Sequence, residues 1–129
     1  MFEIQDIVQQ GDWKLEKHVP VIEIVKEKAE GVVTIRVSIG EEIEHPNTTE
    51  HHIVWIELYF LPAGEKFVKH IGRQTFGSHG GSTQGPNTSG IFTGPSGSFS
   101  LKTIKTGKLL ALSYCNIHGL WQGSAEIKA

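Results

Sequence analysis

Val33-Thr34-Ile35-Arg36-Val37-Ser38-Ile39 decides the fold class. Four β-branched aliphatic residues alternate with Thr, Arg and Ser, a period of two that puts one face of a strand in a core and the other in water. Outward from it the pattern repeats. Val19-Pro20-Val21-Ile22-Glu23-Ile24-Val25 reads as a preceding strand, with Pro20 near its entry, where a missing N–H is tolerated. A charged turn, residues 26–31, joins the two. His52 to Leu61 reads as a third strand, apolar on both faces through Ile53-Val54-Trp55-Ile56, and therefore central. Pro62-Ala63-Gly64-Glu65 is a turn, and Lys66 to Phe76 a fourth strand. Phe99 to Lys105 and Lys108 to Cys115 read as two strands of a hairpin turning at Thr106-Gly107. Leu120 to Ile127 supplies the last strand. Residues 1–18 are mixed and polar, with a short helical turn ending near Trp13.

Short strands with turn signals at intervals of about ten residues point to an all-β fold, an immunoglobulin-like seven-stranded antiparallel β-sandwich. The chain of 129 residues fits one domain, 1–129. Residues 77–98 are rich in Gly, Ser, Thr, Pro and Asn, and read as a long surface loop inside that domain. Fifteen glycines and five prolines agree with a turn-rich chain. A formal charge of −2 with scattered Lys and Arg argues against nucleic-acid or anionic-membrane binding. No apolar run reaches the length of a membrane span, and the N-terminus lacks the charged and apolar regions of a secretory signal, so a cytoplasmic protein is expected.

Chemistry concentrates in Ser113-Tyr114-Cys115-Asn116-Ile117-His118-Gly119-Leu120-Trp121, which holds the single cysteine. One cysteine excludes an internal disulfide and leaves a buried spectator, a nucleophile or a ligand. A buried lone cysteine is most often a small hydrophobe, and Cys-x-x-His alone is a weak metal pattern. The histidines change the balance. His18 precedes Val19-Pro20, His45 and His51 flank the Pro46-Asn47-Thr48 turn, and His118 follows Cys115. Strand ends of a sandwich cluster at two poles, so four imidazoles and a thiolate can converge at one of them. His51 and His52 are adjacent at a strand entrance. Alternation sends them to opposite sides, and spacing favours His51 as the partner of His45. His70 and His79 read as solvated turn residues.

Three separated segments resemble one family: Glu16-Lys17-His18-Val19-Pro20-Val21-Ile22, His45-Pro46-Asn47-Thr48-Thr49-Glu50-His51-His52-Ile53, and Ser113 to Trp121. In that order they are similar to superoxide reductases of the one-iron, neelaredoxin-like branch, and the likeness runs from about Glu16 to the C-terminus. The four-cysteine rubredoxin-like domain of the desulfoferrodoxin branch has no counterpart here. The resemblance implies one mononuclear non-haem iron (Fe2+/Fe3+) per chain, with His18, His45, His51 and His118 as equatorial ligands and Cys115 as the axial thiolate. It implies that the last histidine binds through Nδ1 and the others through Nε2. It also implies that Glu16 can close the sixth position in the ferric state and that Lys17 attracts the anion. The implied activity is reduction of superoxide, which takes one electron and two protons to become hydrogen peroxide. The implied partners are rubredoxin or a similar small donor and further copies of the chain, a tetramer before a dimer. Backbone N–H groups of the 116–118 turn could hydrogen-bond the sulfur and moderate its donation.

Two other readings stand beside this one. A cupredoxin-like copper electron-transfer protein also combines a β-sandwich with an upstream His and a late Cys-then-His loop. Against it, the only methionine is Met1, and four histidines exceed the need. A metal-free immunoglobulin-like binding module would keep Cys115 as core. A closed zinc site fits less well, because five candidate donors exceed a tetrahedral set.

Overall fold

The structure is a computed structural model and describes residues 2–27 and 30–128. A four-residue helix, α1 (Ile4–Ile7), precedes seven strands: β1 (Val21–Lys26), β2 (Val32–Ser38), β3 (Ile53–Pro62), β4 (Lys69–Thr75), β5 (Ser96–Lys102), β6 (Gly107–Cys115) and β7 (Gly119–Ile127). They form two antiparallel sheets, β1-β2-β5 and β4-β3-β6-β7, packed face to face. The alternation in β2 works as its sequence demands. Val33, Ile35 and Val37 are buried, while Arg36 is exposed and donates from Nε to Ser96 Oγ at 3.1 Å. Opposite them, Ile53, Ile56, Leu58 and Phe60 of β3 and Leu109 and Ala111 of β6 complete the core. Burying a side chain of this kind stabilises the fold by roughly 1.5–3 kcal/mol.

The expected hairpin between the fifth and sixth strands does not form. β5 pairs with β2, and β6 lies between β3 and β7, so the two strands belong to different sheets. Residues 103–106 cross from one sheet to the other. Thr103 N donates to Gly31 O of the β1–β2 turn at 2.7 Å, and Ala63 N of the β3–β4 turn donates to Thr106 O at 3.0 Å. Phe99 and Leu101 face Ile35 and Val33 across the ladder, which adds apolar surface to the smaller sheet's core face. Pairing of β5 with β6 would have left that side of β2 open.

Two features aim the fold at one pole. Cys115 is the last inward position of β6, after Leu109, Ala111 and Ser113. The segment 18–20, entering β1, crosses the larger sheet. Ser113 Oγ, fully buried, donates to the His18 carbonyl at 3.0 Å. Gly123 of β7 lets this segment close down, because a Cβ there would stand 2.4 Å from the Pro20 carbonyl oxygen. Gly123→Ala is therefore expected to cost about 1–3 kcal/mol, the usual penalty for overpacking against backbone. Urea denaturation measures this, and a loss below about 0.5 kcal/mol would refute the close approach.

Candidate metal centre

His18 is held from three sides. Its ring stacks on Trp121, with centroids 4.7 Å apart and planes at 12°. Its carbonyl is fixed by Ser113. Glu16 Oε1 accepts from His18 N at 2.7 Å and lies 2.6 Å from His18 Nδ1. The carboxylate thereby keeps the proton on Nδ1 and leaves Nε2 with its lone pair. His45 is fixed in the same sense: its Nδ1 donates to the Pro46 carbonyl at 2.6 Å. The turn that delivers it requires a glycine at position 40, where φ is +81° and a Cβ would meet His45 N at 2.7 Å. His51 is set by a tight turn in which Thr48 Oγ1 accepts from His51 N at 3.0 Å and Thr48 N donates to His51 O at 2.9 Å.

The Nε2 atoms of His18, His45 and His51 are all buried without a hydrogen-bond partner. One ring nitrogen from each of these histidines and Cys115 Sγ form a group of donor atoms within 4.8 Å of one another. At least two of these nitrogens present lone pairs, so they cannot satisfy each other. An unpaired buried polar atom costs about 1–3 kcal/mol. Convergence of several, beside a buried sulfur, is the arrangement that a cation relieves.

His118 stands apart from that tight group but completes its outline. The ring centroids of His18 and His45 are 4.6 Å apart, those of His45 and His51 4.9 Å, those of His51 and His118 5.0 Å, and those of His118 and His18 4.9 Å. The diagonal from His18 to His51 is 6.5 Å. Four nearly equal sides and a longer diagonal describe a square of imidazoles. His118 Nδ1 lies 3.9 Å from Cys115 Sγ, and His118 N donates to that sulfur at 3.3 Å. The His118 side of the square is exposed, whereas His18, His45 and Cys115 are buried.

Protonation follows the same geometry. Burial pushes His45 down to about 4, against the pull of the Pro46 carbonyl in the other direction. Burial also lowers His18, although Glu16 opposes it, and lowers His51, with His118 and His18 adding repulsion. The Lys17 ammonium is close enough to disfavour a proton on all three rings. Burial alone would raise Glu16, but its bonds to His18 win and hold it below the ordinary carboxylate value. Burial thus favours the neutral form of His18, His45 and His51, the form in which an imidazole binds metal.

The remaining histidines lie outside the square. His52 turns away from His51, stacks on His79 with centroids 3.5 Å apart, and donates from Nδ1 to Thr48 O at 2.8 Å. His79 is half-buried rather than solvated, with Nε2 2.7 Å from the Phe76 carbonyl and Nδ1 2.8 Å from Asn47 Oδ1. His70 is exposed beside Glu57. Several supports escaped the sequence reading: the Pro46 carbonyl, Ser113, the Trp121 stack, and Asn116, which bonds His52 N and Glu50 O and ties the Cys-x-x-His turn to the 45–52 loop. Only the Trp beside a ligand motif leaves a trace in the sequence.

The family model described as desulfoferrodoxin matches residues 10–124, nearly the whole chain and all of this pole. The chain belongs to the desulfoferrodoxin family. It is 57% identical over 125 residues to a superoxide reductase of Pyrococcus furiosus, covering 97% of this chain and 99% of the relative. It is 47% identical over 123 residues to a neelaredoxin of Megalodesulfovibrio gigas, covering 95% of each. The solved structure of a superoxide reductase (neelaredoxin) from Archaeoglobus fulgidus in the reduced form superposes with a TM-score of 0.92 at 57% identity, covering 95% of this chain and 99% of that one. The two-sheet, seven-strand architecture of this desulfoferrodoxin-family chain matches that solved structure.

Proposed function

We infer that the chain is a superoxide reductase, taking superoxide with one electron and two protons to hydrogen peroxide at one mononuclear iron. The observation that carries this is the meeting of three imidazoles with orphaned nitrogens and a buried thiol sulfur, their donor atoms inside 4.8 Å. His18, His45 and His51 would hold the metal through Nε2, His118 through Nδ1, and Cys115 through its thiolate. The chemistry iron supplies when bound is one-electron transfer to a small anion held directly against it. A mixed N/S donor set of five suits this better than a closed tetrahedral zinc site.

The chain's own residues do the rest. Lys17 is half-buried beside the square and carries the positive charge that draws the anion in. Glu16 orients His18 in the arrangement described, and a carboxylate released from that bond would be placed to help hold oxidised iron. Donation from His118 N to the sulfur moderates the thiolate. Re-reduction by rubredoxin or a similar small donor fits a square whose His118 edge, with Ile117 beside it 58% exposed, meets solvent. A homo-oligomer, a tetramer before a dimer, fits the half-exposed Trp55, Tyr59, Leu110, Leu112 and Tyr114 on the outer face of the larger sheet. A single iron-binding domain in the cytoplasm completes the reading, a compartment in which the free Cys115 stays reduced.

Metal analysis joined to superoxide consumption tests this function. Iron near one equivalent per chain with peroxide formed supports it; copper indicates electron transfer, and neither metal indicates a binding module. Lys17→Ala is expected to keep its iron, to react with superoxide about tenfold more slowly and to lose most of its ionic-strength dependence. Pulse radiolysis reads both, and an unchanged salt slope would remove Lys17 as the steering charge.

A further inference from the structure

The long segment between β4 and β5 contributes no donor to the square, yet it braces the loop that does. His45 and His51 are separated by residues 46–50, a stretch with no strand of its own. Its internal bonds are those of the Thr48–His51 turn. Most of its other side-chain bonds reach the 77–94 segment. Asn47 Nδ2 donates to Thr93 O at 2.9 Å, and Thr49 Oγ1 donates to His79 O at 2.6 Å. Asn87 makes the densest set. Its Oδ1 accepts from Thr49 N at 2.9 Å, its N donates to Thr49 Oγ1 at 3.0 Å, and its Nδ2 reaches both Glu50 carboxylate oxygens at 2.9 and 3.0 Å.

Asn87 is also the one non-glycine residue among those described with positive φ, +57°. Asparagine tolerates that conformation better than most residues, and here the backbone turn presents amide N–H and side chain together to Thr49. The segment is closed on itself by Gly80 N to Ile91 O at 2.9 Å, Thr88 N to Gly80 O at 2.7 Å and Thr93 N to Ser78 O at 2.7 Å. It is a folded segment, hydrogen-bonded to the 46–50 loop at Asn47, Thr49 and Glu50.

We propose that Asn87 is a positioning residue for the metal centre: through Thr49 and Glu50 it sets the spacing of His45 and His51. This rests on the reading that those two histidines hold iron. Groups that hydrogen-bond a metal ligand directly change metal affinity by about 10–100-fold when removed, and Asn87, which bonds the loop between two such ligands instead, is expected at the lower end of that range. Asn87→Gly keeps the backbone free to adopt φ +57° and deletes only the side-chain bonds. It is expected to bind Fe2+ at least about tenfold more weakly in competition with a chelator. When saturated and oxidised, it should show a shifted sulfur-to-iron absorption band, which a loss of fold stability alone would not produce. Gln84→Ala, in the same segment but without a bond to the 46–50 loop, is expected to match wild type. An Asn87→Gly protein with wild-type affinity and an unmoved band would overturn the proposal. Should Asn87→Gly fail to fold, Asn87→Asp decides. It sets a second carboxylate against Glu50, and its affinity should fall and then recover when Glu50→Gln restores a donor. Equal affinity in both would also overturn it. A wild-type protein that holds no iron refutes the ligand reading instead, and the two failures are distinct.

Discussion

Cys115→Ser is expected to abolish the sulfur-to-iron charge-transfer band of the oxidised protein and, with it, most of the reaction with superoxide. Cys115 is fully buried at the inward end of β6 and is the only thiol in the chain. A serine hydroxyl at that place would not ionise near neutral pH, so the donor set loses its one soft anion and its push of electron density toward the metal. The strand itself should survive. The smaller oxygen can still accept from His118 N, and the cost to the metal-free fold is about 1–3 kcal/mol for a hydroxyl in an apolar place. Absorption spectroscopy with iron content on the same sample decides the matter. A variant that keeps the band would remove Cys115 from the ligand set.

Removing iron is expected to leave a fold that weakens steeply with acid. Without metal, His45 titrates at about 4 in the folded chain and near 6.5 once unfolded. Above the unfolded value both states are neutral and the fold keeps its full stability. As pH falls from 6.5 to about 4, the unfolded chain takes up a proton that the folded chain refuses, and stability drops. The loss from His45 alone approaches about 3 kcal/mol, and His18 and His51 are displaced in the same direction. At neutral pH bound iron adds stability by mass action, about 4 kcal/mol when free metal is a thousandfold above its dissociation constant. Acid should then remove the metal as well, since protons compete with it for the imidazole and thiolate donors. Urea titrations of the metal-free protein at pH 7.5 and 4.5 measure the effect. Equal midpoints at the two pH values would show that His45 is not held neutral by burial.

Much of this was legible in the chain itself. The alternation of Val33, Ile35 and Val37 dictated a half-buried strand, because a two-residue period has no other way to bury those side chains, and the apolar run through Ile53 to Ile56 marked a strand with neighbours on both sides. Strand pairing was less visible. Lys108 to Cys115 and Phe99 to Lys105 look like a hairpin by proximity. Whether they pair depends on which sheet offers an open ladder edge, and that is a property of β2 and β3, far away in sequence.

The metal pole divides in the same way. Residue types and order alone marked Cys115-x-x-His118, the Glu16-Lys17-His18 approach and the His45 to His51 loop. Their donors are short-range chemistry written in the side chains. Only the tertiary structure decided which nitrogen of each ring is free, since that depends on Glu16 reaching His18 Nδ1 and on a backbone carbonyl at Pro46. It decided that His52, already sent to the side opposite His51 by alternation, stacks on His79, and that the glycine-rich segment bonds the 46–50 loop. Hydrogen bonds from residues about forty positions apart leave no periodic trace in a sequence. They exist because folding brings two otherwise unpaired loops to the same end of the sandwich, where each satisfies the other's polar groups.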